Sequence, residues 1–325
     1  MGYEAGDVIT AAQYNIFVNN SSAPFGYNHF AGTGSGEYGL GQTEIATVAG
    51  GNDSATTITA SQFNTLLTAI DTIANHTNDT MTARTSVTAG DEIEIKSNLE
   101  ADLATLAASV AAGSPNATAL TESSALQTVT TSSEGWDSSA TQEVSVTFAN
   151  ANTMRHFFNA GGKVRITVGT SQTSTSPKDQ AYIDLGTALG NIDIASQATT
   201  RSGSGETLTT NGLANGFHDL GTGYTSLIKL TSDNSNYTSN NIEIFAKLND
   251  SVGDSTVITV KVVATDGAAD DQYTSPNTES PTVPADIKDT PKIVTTLKTF
   301  TVTDAQGLAS AIAQSSTATV SNSTS

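Results

Sequence analysis

The 325-residue chain contains no cysteine. Disulfides, zinc–thiolate sites and cysteine nucleophiles are therefore excluded. Positive charge is nearly as scarce, with 13 Lys+Arg against 32 Asp+Glu and a formal net charge of −19. A duplex-binding surface needs a basic stripe to release counterions from phosphate, and the densest cationic pair here is Lys163 with Arg165. Nucleic acid is thus not an expected partner, and the same repulsion argues against an anionic membrane surface. No run of 18 apolar residues occurs, so no membrane insertion is expected. Residues 1–8 carry Glu4 and Asp7 and no apolar stretch, unlike a secretory signal. Synthesis in a cytoplasm, with release by a route such as lysis, is the expectation.

What the chain does contain is small and polar. Hydrophobic residues make up 37%, enough for a core, but charged residues only 14%, so Ser, Thr, Asn and Gly must cover the surface. The length predicts two domains of ordinary size. Near the start, Ile9-Thr10-Ala11-Ala12-Gln13-Tyr14-Asn15 returns as Ile58-Thr59-Ala60-Ser61-Gln62-Phe63-Asn64. In each copy a Thr precedes a Gln by three residues, the spacing of a capping box at a helix start. Apolar residues then follow at helical spacing: Tyr14, Phe17 and Val18 in the first copy, Phe63, Leu66, Leu67, Ile70 and Ile73 in the second. Between them, residues 26–42 hold six glycines with Tyr27, Phe30 and Tyr38, which reads as a loop of unusual backbone shape.

Ser97 and Glu100 mark a third capped helix carrying Leu99, Leu103, Leu106 and Val110, with Gly113 and Pro115 ending it. The 4-3-4 spacing suits either a short coiled-coil seam with a second copy or packing inside one chain. From residue 143 the period changes to two. Strands are expected at 143–148, 163–168, 192–195, 226–230, 241–248, 256–263 and 293–302, with short helices at 150–158 and 181–189. The fold class expected is α+β: N-terminal short helices with a glycine-rich loop, then a mainly antiparallel β-sandwich, jelly-roll-like or immunoglobulin-like. The domains would be a helical assembly module at 1–115, a linker or peripheral strand at 116–140, the sandwich at 141–303, and a short helix with a mobile tail at 304–325.

Two stretches of sequence resemble a known group. The first is Gly6-Asp7-Val8-Ile9-Thr10, Tyr14-Asn15, Gly34-Ser35-Gly36-Glu37-Tyr38-Gly39-Leu40-Gly41-Gln42, Ile58-Thr59-Ala60 and His76. The second runs from Val144 through Arg155-His156-Phe157-Phe158-Asn159-Ala160-Gly161-Gly162-Lys163-Val164-Arg165-Ile166 to Gly223-Tyr224, Tyr237-Thr238-Ser239-Asn240-Asn241 and Ile244-Phe245-Ala246-Lys247. Together they resemble virion structural, tail-fibre-like proteins of tailed phages, especially marine and cyanobacterial phages related to the T4 group. The resemblance covers about residues 6–80 and 136–265 and fades over 266–325. It implies a place in the virion, other virion proteins as partners, a homo-oligomer such as a trimer or ring, and no catalytic residues to carry over.

Little in the sequence suggests catalysis. His29, His76, His156 and His218 fall in no HxxxH or HxH spacing. His76, near a helix end, would gain from the carboxyl-end dipole when protonated. Gly32-Thr33-Gly34-Ser35-Gly36 lacks the Lys and the following helix of a phosphate loop. The pairs Asp91/Glu92 and Asp270/Asp271 are adjacent in sequence, which suits solvated turns better than a paired acid and base. Calcium is the one cofactor with candidate ligands, in the oxygen-rich stretches 249–254 and 266–271, although EF-hand spacing is absent. Trp136, the sole tryptophan, is read as a core residue, with an exposed ligand-stacking role as its competitor.

The expectation is thus a tail-associated phage structural protein, not an enzyme, acting in particle assembly and host attachment. Capsid decoration and a glycan- or receptor-binding adhesin are the competing readings, and a polysaccharide hydrolase is a distant third. Candidate assembly contacts are Tyr14, Phe17, Tyr27, Phe30, Tyr38 and Phe63, with a purely intramolecular core as the equal alternative.

Overall fold

The structure, a computed structural model, describes residues 10–49, 58–89, 96–113, 120–130, 135–136, 138–170, 177–234, 237–267, 287–288, 293–302, 308 and 318–324. The chain forms two compact units. One comprises Met1–Thr121, Asn150–Gly162 and Thr301–Gln314, the other Glu122–Ala149, Lys163–Phe300 and Ser315–Ser325. Neither is contiguous, whereas the sequence had suggested contiguous domains; residues 150–162 cluster with the helical unit although strands of the sandwich flank them.

The helical unit holds α1 (Ala11–Asn19), α2 (Tyr27–Ala31), α3 (Ala60–Thr77), α4 (Lys96–Ala111) and α5 (Ala151–Asn159). Both repeat copies start as capping boxes. The Thr10 N–H donates to Gln13 Oε1 at 2.8 Å, and the Thr59 N–H to Gln62 Oε1 at 2.9 Å. The repeat also places Asn15 and Asn64 alike. Each amide takes both backbone groups of a distant valine: Asn15 binds the Val48 carbonyl and N–H at 2.9 and 2.8 Å, and Asn64 those of Val87 at 2.9 Å each. A side chain thereby does for an extended segment what a neighbouring strand would do, satisfying a donor and an acceptor together.

Leu99, Leu103, Leu106 and Val110 on α4 are buried, and α4 packs on α1, α2 and α3. The 4-3-4 stripe is thus spent inside the chain and not on a second copy. The Ser97 cap lies outside the residues whose side chains are described. The glycine-rich stretch expected to be loop throughout begins with α2, whose Tyr27, Phe30 and Ala31 are buried.

The second unit is an antiparallel β-sandwich. Its elements are β1 (Leu120–Glu122), β2 (Gln127–Thr130), β3 (Gly135–Trp136), β4 (Ser139–Thr147), β5 (Lys163–Thr170), α6 (Pro177–Leu189), β6 (Asn191–Ile194), β7 (Thr199–Arg201), β8 (Thr207–Asn211), β9 (Thr225–Thr231), β10 (Asn241–Leu248), β11 (Val257–Thr265), β12 (Ile287–Lys288), β13 (Ile293–Val302) and β14 (Ala318–Thr324). One sheet runs β1-β13-β5-β6-β7 with β2 also on β13; the other runs β14-β4-β11-β10-β9-β8; β3 and β12 form a separate two-stranded ribbon. Period-2 alternation sets the layers. Ile242, Ile244, Ala246 and Leu248 of β10 are buried, as are Ile258, Val260, Val262 and Ala264 of β11.

The two sheets are joined in different ways along their width. At β4 they meet directly through Gln142, a fully buried amide that accepts from Thr295 Oγ1 at 2.5 Å and donates to the Ile293 carbonyl at 3.0 Å. Further along, α6 packs on β5 as well as on β9 and β10. Its Ala181, Tyr182, Leu185 and Leu189 are fully buried, and the Tyr182 hydroxyl donates to the Thr265 carbonyl at 2.7 Å.

Of the two readings of residues 116–140, linker or peripheral strand, the described part follows the second: β2 lies along β13, with Val294 opposite Thr130 and Leu297 opposite Gln127. One expectation needs correction. The end of the chain is not a mobile tail, since β14 pairs with the length of β4 from Ala318 opposite Val146 to Thr324 opposite Ala140. Its polar sequence hid it because a sheet-edge strand is held by backbone bonds to its neighbour, here a strand that already carries the apolar face. The small helix expected at 303–314 lies outside the described residues, apart from buried Leu308.

Candidate functional site

Two places in the fold gather unusual chemistry, one in each unit. The first is where α5 holds the glycine-rich loop. Asn150 caps α5, its side-chain oxygen accepting from the Thr153 N–H at 2.8 Å. The helix then presents Arg155, His156 and Asn159 to the loop. Arg155 Nη1 donates to the Tyr38 carbonyl at 2.5 Å and Nη2 to the Thr33 carbonyl at 2.7 Å. His156 Nε2 donates to the same Thr33 oxygen at 2.9 Å. Asn159 Nδ2 reaches the carbonyls of Tyr38 and Gly39 at 3.0 and 3.2 Å. All three side chains are buried.

Only glycine fits where loop and helix touch. Gly39 has φ of +97°, and a Cβ there would stand 2.2 Å from the Thr33 oxygen and 2.9 Å from Arg155 Nη1. At Gly41, φ +66°, a Cβ would stand 2.5 Å from His156 Nδ1. The loop is further tied to α2 by the N–H groups of Gly39 and Leu40, which donate to the carbonyls of Phe30 and Ala31 at 3.0 and 3.2 Å.

The electrostatics suit a buried lock. Burial lowers the pKa of the Arg155 guanidinium, yet arginine stays protonated, and backbone oxygens rather than a carboxylate accept its hydrogen bonds. Burial also lowers the pKa of His156, against the bond to Thr33 and with the help of the neighbouring Arg155 charge. His76 at the end of α3 donates from Nε2 to the Ala160 carbonyl at 3.0 Å, while its buried Nδ1 has no hydrogen-bond partner among the described residues. Burial holds its pKa down at about 4. The stabilising dipole expected for a protonated His76 is therefore outweighed by desolvation, and the imidazole is neutral.

The six candidate assembly residues divide unequally. Tyr14, Phe17, Tyr27, Phe30 and Phe63 are at most 3% exposed and form the core of the helical unit. Burial pushes the Tyr27 phenol up to about 12. The intramolecular alternative describes these five. Tyr38 is half-buried, its ring 4.8 Å from both Phe25 and His29, which stack on each other at 4.1 Å.

The second place is the outward face of the sheet containing β4, β9, β10 and β11. Strand register sets Glu143, Lys261 and Phe245 in one cross-strand row. Just before β9, the Tyr224 hydroxyl donates to Glu143 Oε1 at 2.6 Å. Lys247 and Lys261 hold their ammonium groups 4.3 and 4.0 Å from the centre of the Tyr224 ring, and Lys261 lies 4.6 Å from that of Phe245. The Tyr224 pKa is raised, first by burial and then by the bond to Glu143. The sequence reading missed this cluster. Its one visible signal was the alternation in β10, which puts Phe245 and Lys247 on one face; the approach of Tyr224 depends on the folded chain.

Other candidates resolve simply. The 249–254 turn is organised by Asn249, whose Oδ1 accepts from Ser255 Oγ and from the N–H groups of Thr256 and Val257 at 2.8–3.0 Å. Asp254 accepts from Ser251 Oγ at 3.0 Å. Among the described residues no three His, Cys, Asp or Glu side chains gather as a metal would require. Of 266–271, all beyond Gly267 lies outside the described residues, as does the Trp136 side chain. Arg165 of the densest cationic pair is committed to Asp193 by a two-pronged bond of 2.6 and 2.8 Å. No helix among the described residues is long and apolar enough to cross a membrane. Comparison with protein-family models, curated proteins and solved structures finds no match to this chain.

Proposed function

We propose that this chain is a structural component of a bacteriophage particle, tail-associated in a fibre, neck or baseplate, and that it works by positioning rather than by catalysis. One observation carries the reading. Two of the sequence strings that carry the resemblance to phage virion proteins, Gly34 to Gln42 and Arg155 to Gly162, lie far apart in the chain yet interlock in the fold. This part of the resemblance therefore falls on one cooperative structural element. Its polar side chains are consumed in holding backbone, as a scaffold requires.

In this reading the helical unit attaches to other virion proteins, and repeated copies, as a trimer or ring, give the sandwich many simultaneous contacts with a host surface. Because five of the proposed aromatic contacts are core, attachment must use other surface, such as Ile16, which is 44% exposed on α1. The test is labelling of intact particles with an antibody raised against residues 136–265, viewed by electron microscopy. Label at tail, neck or fibre is expected. Label spread over the head would replace this reading by capsid decoration, and unlabelled particles would remove it.

A further inference from the structure

We infer that the outward sheet face around Tyr224 is a binding site for an acidic carbohydrate, a sugar carrying a carboxylate among its hydroxyls. The inference rests on the attachment reading above and names the class of surface molecule that the sandwich would engage.

The argument starts from charge. In a chain with 13 basic and 32 acidic residues, three lysines, Lys229, Lys247 and Lys261, sit on adjacent strands of one sheet. They are not equivalent. Lys229 lies 3.6 Å from Glu243 and is neutralised. Lys247 and Lys261 lie against aromatic rings, and among the described residues neither is ion-paired to a carboxylate. A ring quadrupole attracts an ammonium without cancelling its charge. Two positive charges are thus held close together and still able to meet an anion.

The cluster is also pre-organised. The bond to Glu143 anchors the Tyr224 hydroxyl, and the Phe245 ring meets Tyr224 edge-on at 6.3 Å. Phe245 and Lys261 are direct cross-strand partners on a rigid sheet. Long lysine side chains normally lose rotamer freedom when they bind, and here part of that loss has occurred on folding.

The neighbouring groups select the ligand. Glu143 and Glu243 flank the lysines and would repel a polyanion such as nucleic acid, as would the net charge of the chain. Carboxylates accept well from sugar hydroxyls, however, and ammonium groups donate to a sugar carboxylate. A ligand bearing one anionic group among several hydroxyls satisfies both. At physiological salt the screening length of about 8 Å leaves these local charges in control over the distant negative ones.

The test is calorimetric titration of the full chain with galacturonate, one carboxylate among several hydroxyls, as probe, beside uncharged galactose and inorganic phosphate. Saturable binding of galacturonate alone is expected, weakening as salt rises. The double variant Lys247→Ala with Lys261→Ala should bind at least about tenfold more weakly, in line with loss of two charge-assisted contacts. Lys261→Arg, which keeps the charge and the ring contact, should retain binding and so shows that loss elsewhere is not misfolding. Equal binding of galactose, equal binding of phosphate, undiminished binding by the double variant, or no saturable binding to the wild-type protein would each overturn the site. Particle labelling does not depend on these titrations, so the two readings fail separately.

Discussion

The carbonyl oxygen of Thr33 accepts two buried hydrogen bonds from adjacent residues of α5, one from Arg155 at 2.7 Å and one from His156 at 2.9 Å. Both lone pairs of one backbone oxygen are thus used by a helix more than a hundred residues further along the chain. Gly39 is packed against that oxygen as well, and this makes the loop sensitive to the smallest substitution. Gly39→Ala would place a methyl group 2.2 Å from the Thr33 oxygen in addition to straining a φ of +97°. A loss of roughly 3 kcal/mol or more is expected from clash and strain together. Gly36→Ala, at φ +58° with nothing within 4 Å, should lose only about 1 kcal/mol. Urea denaturation of the two variants checks this, and equal losses would show that contact with α5 is unimportant.

Acid should loosen the helical unit. His76 has a pKa of about 4 in the fold, against about 6.5 when unfolded. Between those values the unfolded chain binds more protons, so stability rises with pH and is lost as pH falls from about 6 towards 4. One such proton changes stability by roughly 1 kcal/mol per pH unit. His156, shifted in the same direction by burial, adds to the effect. Denaturation midpoints measured across this range should fall with acid, and His76→Gln, which can still donate to the Ala160 carbonyl, should flatten the slope. An unchanged slope in that variant would assign the acid sensitivity elsewhere.

Gln142 and Thr295 form a fully buried polar link between the two sheets of the sandwich. Gln142→Leu alone should cost about 2–3 kcal/mol, because the Thr295 hydroxyl loses its partner without regaining water. Combining it with Thr295→Val should recover about 1 kcal/mol or more of that loss. A double-mutant cycle reads the coupling directly, and additive losses would mean that the two residues do not act as a pair.

Removing residues 318–325 should turn β4 into an edge strand with a row of unpaired backbone groups. Lower thermal stability and concentration-dependent association are expected, by calorimetry and light scattering. A truncated chain that melts like the full one would show β14 to be dispensable.

Deleting residues 1–80 would not yield an intact sandwich unit and nothing else. It also strips Arg155, His156 and Asn159 of their loop partners and Ala160 of its bond from His76. Amide exchange in α5 should become fast in that fragment, and slow exchange there would show that the helix is held by other contacts.

Local physics is legible in the sequence, and the elements governed by it were foreseen. The two capping boxes, the apolar stripes of α3 and α4, and the alternation of β10 and β11 each depend on residues within a turn or two of one another. The glycine-rich character of residues 34–41 likewise announces unusual backbone. What the sequence left open depends on which distant groups meet. Whether Tyr14 and Phe63 face a core or a partner, where Arg155 puts its protons, and whether His76 carries a charge are settled by burial, and burial belongs to the assembled unit. Strand β14 is invisible until β4 offers an edge, and Lys247, Lys261 and Tyr224 become a cluster only once strand register brings three separate segments together. Periodicity and capping therefore determined the elements of this protein, and long-range packing, through desolvation and register, decided its chemistry.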